Sequence, residues 1–234
     1  MGEGVVTLYQ EWIDLSSNNL GVHWNKLDPA VRGVICKATE GVKYEDPRFR
    51  AFCAGTRDSG RILGAYHYLR IRHGKPQDAR AQAHEFAERF TRERCEFGEL
   101  DVERAENENA TSDEAREAVN EFTSELVAIL NPPMMLYTSK GEWDLWELQT
   151  MEIPWPLSLA AYTNSLTPTV PKPWTDWLLH QYTGTGKVDG VDGVVDRYRS
   201  KGSLDDFRIA LGLPIAPLPN LADDPRVKIQ KEGD

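Results

Sequence analysis

The sequence predicts an α/β fold, an irregular parallel barrel of eight strands with its helices mainly in the first half. Three observations predict it. Short apolar runs alternate with amphipathic stretches, as in βα units. The long helical stripes all fall before Asn131. The residues that close successive apolar runs are polar, as they are at the carboxyl rim of a parallel barrel, where such folds carry their sites.

Each element has a local reason. Trp12–Leu15, Gly33–Lys37, Ile62–Tyr68 and Phe97–Val102 read as the first four strands. Met134–Tyr137, Leu157–Tyr162, Leu178–Tyr182 and Gly193–Asp196 read as the last four. A helix after Pro47 should stop at Gly60, directly before the third strand. Ala79, Ala83, Phe86, Ala87 and Phe90 form one apolar helical stripe. A stronger stripe comprises Ala115, Ala118, Val119, Phe122, Leu126, Ile129 and Leu130. Thr111 with Glu114 opens it as a capping box, and Pro132-Pro133 follows its end. The later strands are separated by the loops Pro154–Pro156, Thr167–Trp174 and Gly184–Gly193, and there is no internal repeat. Residues 1–213 thus read as one barrel domain, with 1–9 as an extension. Residues 214–234, with four prolines and no apolar periodicity, read as a Pro-rich acidic linker or tail able to tether another module.

Composition bounds the function. The chain has 234 residues, 40% of them hydrophobic and 27% charged, and a formal net charge of −10. That balance argues against nucleic acid as a partner, because neutralising phosphates needs clustered Lys and Arg. It argues equally against electrostatic capture by an anionic membrane. No run approaches the roughly 18 apolar residues of a membrane span, and Met1–Gly4 lacks the basic start of a secretory signal. Cys36, Cys53 and Cys95 are odd in number, lack metal-ligand spacing and read as reduced thiols.

The most informative stretch is Leu100-Asp101-Val102-Glu103. Side chains at i and i+2 of a strand share a face, about 6.6 Å apart at roughly 3.3 Å rise per residue. Two acids held so close cannot both ionise cheaply, so one keeps its proton toward neutral pH, as a general acid requires. The other strand ends supply company: Asp14, Lys37 with Glu40, Tyr66 and His67, Tyr137, Tyr162, Gln181 with Tyr182, and Asp196. Any one of these is an ordinary polar strand end. Together on one rim, acids, tyrosines and amides describe a carbohydrate site.

These residues carry a resemblance. Ile13-Asp14-Leu15-Ser16, Lys37-Ala38-Thr39-Glu40-Gly41 and Gly64-Ala65-Tyr66-His67-Tyr68 resemble motifs of the glycoside hydrolase family 25 lysozymes. So do Leu100–Glu103, Leu136–Ser139, Gln181-Tyr182-Thr183 and Gly190–Asp196, and the resemblance covers about residues 10 to 198 in order. It implies a TIM-like (β/α)5(β)3 barrel that cleaves the β-1,4 bond from N-acetylmuramic acid to N-acetylglucosamine in bacterial peptidoglycan. It implies Glu103 as general acid and, in one mechanism, Asp101 as the carboxylate orienting the substrate's 2-acetamido group; a direct route, with Asp14 or Asp101 as base or nucleophile, stays open. Asp14 and Asp196 match further active-site acids, and Lys37, Tyr66, Tyr137, Tyr162 and Gln181 match positions lining the groove. No cofactor and no metal are implied. The partner is the glycan strand, the expected state is a monomer, and any wall-binding module would lie outside this chain. By analogy with phage lysins, the protein would be made in the cytoplasm and reach the wall after release by lysis machinery.

Two departures stand out. Trp12 precedes Asp14 where the family normally begins with a small residue, and Asp196-Arg197-Tyr198 replaces the usual Asp-Leu-Asn. The second leaves the support of the rim near Asp196 to be explained. Two rival functions are a non-catalytic glycan-binding barrel and a zinc-dependent peptidoglycan amidase. His23, His67, His73, His84 and His180 lack local metal-ligand spacing, and His67 reads as a satisfied barrel residue. Trp24, Trp143 and Trp146 read as helix packing, and Trp155, Trp174 and Trp177 as candidates for sugar contact.

Overall fold

The structure is a computed structural model that describes residues 9–215. The expected extension (1–9) and tail (214–234) therefore lie almost wholly outside the described residues. In chain order the elements are β1 (Tyr9–Leu15), β2 (Gly21–Val22), β3 (Val31–Glu40), β4 (Tyr44–Glu45), α1 (Phe49–Asp58), β5 (Ile62–Tyr68), α2 (Asp78–Arg92), β6 (Phe97–Asp101) and α3 (Ser112–Ile129). There follow β7 (Met134–Ser139), α4 (Lys140–Leu145), β8 (Leu157–Ala160), β9 (Leu179–Gly186), β10 (Val191–Asp192), β11 (Val195–Lys201) and α5 (Leu204–Leu211).

The main sheet runs β1-β11-β9-β8-β7-β6-β5-β3, and β1 pairs with β3 as well, so it closes into a barrel. Seven strands are parallel neighbours. β11 is antiparallel to both β9 and β1. β4 folds back on the end of β3, and β2 with β10 makes a separate ribbon.

Period-two alternation sorts the strands into two faces. In β1, Ile13 and Leu15 point outward into the apolar layer under the helices, whereas Trp12 and Asp14 point inward. Trp12, Ile35, Phe97, Met135 and Leu179 fill the floor of the barrel. Two glycines make that floor possible. A Cβ at Gly33 would stand 2.0 Å from the Trp12 ring, and one at Gly64 would stand 2.5 Å from that of Phe97. α3 starts with the anticipated capping box, Thr111 and Glu114 each bonding the other's backbone N–H. Gly60 ends the turn after α1 at φ +70°.

Three expectations need correction. The eighth strand is Val195–Lys201, not Gly193–Asp196. Gly193, at φ +84°, belongs to the turn before it. Its buried positions include Tyr198 and Ser200, so no apolar run marks it. Because it runs antiparallel, Asp196 opens the strand instead of ending it, and still reaches the same rim as the ends of the parallel strands. The sixth strand stops at Ala160, leaving Tyr162 in the following loop. Finally, α4 has no counterpart among the expected helices, and neither has α5. Its Phe207 is fully buried, 4.2 Å from Trp12 and 5.5 Å from Phe97 between ring centroids, and closes the floor from below.

Candidate active site

The polar rim converges on one cavity of about 240 Å³. It contains all nine expected site residues: Asp14, Lys37, Tyr66, Asp101, Glu103, Tyr137, Tyr162, Gln181 and Asp196. Asn18, Tyr68, Glu99 and Tyr198 also line it, and sequence reasoning did not single these out as site residues.

β6 supplies the densest chemistry. Glu99, Asp101 and Glu103 succeed one another at i, i+2 and i+4, stepping from the floor to the mouth. Glu99 and Asp101 are buried, while Glu103 just past the strand end is half-buried. Asp101 pairs in register with Tyr68 on one side and Tyr137 on the other. Burial pushes the Asp101 carboxyl well above the usual range, and the charges of Glu103 and Glu99 add to it. Burial also raises Glu103, with the charges of Glu142 and Asp196 next in importance. Burial of Glu103 was expected to raise it together with Asp101; the leading neighbouring charge is instead that of Glu142 on α4.

Asp14 sits at the end of a directed hydrogen-bond chain. Tyr137 Oη donates to Gln181 Oε1 (2.8 Å), Gln181 Nε2 to Tyr198 Oη (2.9 Å), and Tyr198 Oη to Asp14 Oδ2 (2.6 Å). Burial and the charge of Asp196 raise Asp14 well above the usual range, and the Tyr198 bond opposes them. The chain accounts for the departure at Asp196-Arg197-Tyr198. Tyr198 turns inward to hold Asp14, and Arg197 turns outward to pair with Glu11 at 2.7 Å. Asp196 is pushed to about 6 by burial. It stands near Tyr162 at the mouth, because a Cβ on Gly184 would meet Asp196 Oδ1 at 3.0 Å and Tyr162 Oη at 3.2 Å.

Lys37 is the cation of the cavity. Its Nζ lies 2.7 Å from Glu40 Oε2 and 5.1–5.9 Å from the ring centres of Tyr44, Tyr66 and Tyr68. With its charge already partnered, the remaining field in the pocket is that of carboxyls. A sugar hydroxyl entering here meets acceptors almost everywhere; the phenols of Tyr68, Tyr137 and Tyr198 already donate to the Ala105 carbonyl, Gln181 and Asp14, which leaves those of Tyr66 and Tyr162 as donors.

Other candidates stand elsewhere. His67 is fully buried; Thr39 Oγ1 lies 2.7 Å from its Nδ1, and its Nε2 lies 2.9 Å from Gln82 Oε1. Burial holds it neutral, down to about 4. Trp155 and Trp177 are buried, and Trp174 donates to the Trp155 carbonyl at 2.9 Å. No tryptophan is among the described residues lining the cavity, so tyrosines supply its aromatic faces. The three cysteines are free and buried. Among the described residues no helix is long and apolar enough to cross a membrane, and no group of three or more His, Cys, Asp or Glu side chains is arranged to hold a metal ion.

The missed residues left different signals. Glu99 repeats the spacing of Asp101 and Glu103 one step earlier, a period-two continuation legible in Glu99-Leu100-Asp101-Val102-Glu103. Tyr198 gave none, because the strand that turns it inward was itself misplaced.

Comparison with known proteins identifies the family and the fold. Residues 13–191 match the family described as Glycosyl hydrolases family 25, a span that includes every expected site residue except Asp196. The chain is 30% identical over 204 residues to "Lysozyme M1" of Streptomyces globisporus, covering 82% of this chain and 67% of that protein. The solved bacterial lysozyme from Streptomyces coelicolor superposes with a TM-score of 0.72 at 26% identity, over 88% of this chain and 98% of that one. The catalytic domain of endolysin ply40 from bacteriophage P40 of Listeria monocytogenes gives 0.69 at 21% identity, over 90% and 100%, a likeness of fold.

Proposed function

This chain belongs to glycosyl hydrolases family 25, and from that premise we propose that it is a muramidase cleaving the β-1,4 bond between N-acetylmuramic acid and N-acetylglucosamine. The observation that carries the reading is the stepped trio on β6, with half-buried Glu103 at the mouth and buried Asp101 below it. Glu103 gives its proton to the glycosidic oxygen as the C1–O bond breaks. The carbonyl oxygen of the substrate's own 2-acetamido group closes on C1, while the Asp101 carboxylate accepts the acetamido N–H and so orients it. Glu103, now ionised, takes a proton from the incoming water, whose oxygen attacks C1, reopens the ring and leaves the anomeric configuration retained. Asp101 must have lost its proton and Glu103 must keep its own. Asp101 therefore bounds activity on the acid side and Glu103 on the basic side.

Lys37, Tyr66, Tyr137, Tyr162 and Gln181 bind the sugar in this reading, and Asp14 and Asp196 are further acids of the site. We read residues 1–213 as the catalytic unit and 214–234 as a tether, with the glycan strand as partner. Release through phage lysis machinery is the delivery route that suits such a unit.

Mass spectrometry of muropeptides after digestion tests the proposal. New reducing ends at N-acetylmuramic acid are expected. New free amines in their place would make it an amidase, and binding without any new end would make it a glycan-binding barrel.

A further inference from the structure

Beneath the pair that does the chemistry lies a third carboxyl that the mechanism above does not use. Glu99 is 2% exposed, and its Oε2 has no hydrogen-bond partner among the described residues. The same holds for Asp101 Oδ1, two positions along the same face of β6. An ionised carboxylate with a buried oxygen and no donor is costly, and two on one strand face cost more, because each raises the price of ionising the other. The hydroxyl of Ser158 on β8 favours the ionised form of Glu99, and burial outweighs it. Tyr66 on β5 stands across from Glu99 in register, and the apolar floor lies below it.

We propose that Glu99 is a positioning residue for the reaction: from the floor of the pocket it sets the proton occupancy of Asp101, and through Asp101 the acid boundary of activity. This rests on the muramidase reading, in which Asp101 must be ionised to hold the acetamido N–H.

The surroundings support the assignment. From β1, Asp14 adds negative charge to the same space, and from β11 so does Asp196 at the mouth. Glu103 adds charge from β6 itself. Lys37 on β3 opposes them, but its Nζ is bound to Glu40. Tyr66, Tyr68, Tyr137 and Tyr198 face the space from β5, β7 and β11 as neutral phenols, each held in that form by burial. Burial places Glu99 at about 7, and its charge is among the causes that raise both Asp101 and Asp14.

The test is the pH profile of kcat/KM on soluble glycan for wild type, Glu99→Gln and Glu99→Asp, with a carbon-13 titration of the Asp carboxyls, Asp101 assigned by Asp101→Asn. Glu99→Gln should move the acid limb and the Asp101 midpoint down together by about one pH unit, leaving the plateau within a few-fold. Glu99→Asp, which keeps the charge, should bring both back toward wild type. An acid limb and Asp101 midpoint that stay in place would overturn the proposal, as would a loss of plateau rate and melting temperature with an unchanged profile, which marks a packing role. Glu99→Met gives the same readout should the Gln variant fail to fold. If the wild type cleaves no glycan at any pH, the muramidase reading falls, while the carboxyl titration still decides whether Glu99 controls Asp101.

Discussion

Glu142→Gln is the sharpest probe of the general acid, because Glu142 does two separable things. Its Oε2 accepts the backbone N–H of Arg104 at 2.9 Å, fixing the chain directly after Glu103. Its charge is the largest neighbouring charge that raises the Glu103 carboxyl, ahead of Asp196. The amide keeps an acceptor for Arg104 and removes the charge. The Ser139 Oγ that accepts the Glu142 backbone N–H at 3.1 Å is untouched, so α4 should start as before. Both side chains are half-buried, so the interaction is discounted for solvent screening to on the order of 1 kcal/mol. At 1.36 kcal/mol per pKa unit, Glu103 should lose its proton about half to one unit earlier. Taking away a like charge favours the ionised form, so the basic limb of kcat/KM moves to lower pH. The plateau at lower pH stays put, and above the limb the variant runs at roughly a tenth to a third of wild type. Added salt should narrow the difference. The assay is release of reducing ends from a soluble glycan across pH. A fall in the plateau with the limb unmoved would refute the electrostatic role and leave Glu142 as an anchor of Arg104 alone.

Three further outcomes are expected. Glu103→Gln should lose roughly 10²–10⁴-fold in kcat with an unchanged circular dichroism spectrum, and a variant within threefold of wild type would take Glu103 out of the role. Phe207→Ala should cost about 3–5 kcal/mol, or roughly 6–20 °C in melting temperature, because a fully buried ring between Trp12 and Phe97 leaves a cavity under the barrel; a smaller drop would mean that α5 is not part of the floor. A chain ending at Ile215, which keeps the Pro214 carbonyl for Arg208, should match the full chain in melting temperature and in activity on soluble fragments, and a loss of either would assign residues 216–234 to the folded unit.

What could be read in advance follows the kind of surface each strand buries. β3, β5, β6 and β7 carry apolar residues on their outward faces, against α1, α2 and α3, so each leaves a run such as Val34-Ile35-Cys36 or Met134-Met135-Leu136. β11 has no helix over it. Its outward residues Arg197, Arg199 and Lys201 pair with Glu11, stack on Tyr182 and lie over Trp177. Its inward residues bond Asp14 and Trp12. Such a strand reads as a loop. The site was more legible than the strand that completes it, because its acids close successive apolar runs and stand in motifs that resemble those of a known family. Glu99 is harder to read for the converse reason: it lies in the middle of a fully buried strand, where no strand end marks it.

The antiparallel run of β11 also decides where the molecule can be held. Tyr9 at the start of β1 is the register partner of Lys201 at the end of β11. α5 then carries the chain beneath the floor, where Leu211 and Leu213 pack with Trp12 and Phe97. Both ends of the described chain thus leave from the side opposite the cavity mouth. Within the described residues the barrel has two unlike sides: the cavity opens on one, and the apolar floor sealed by α5 forms the other.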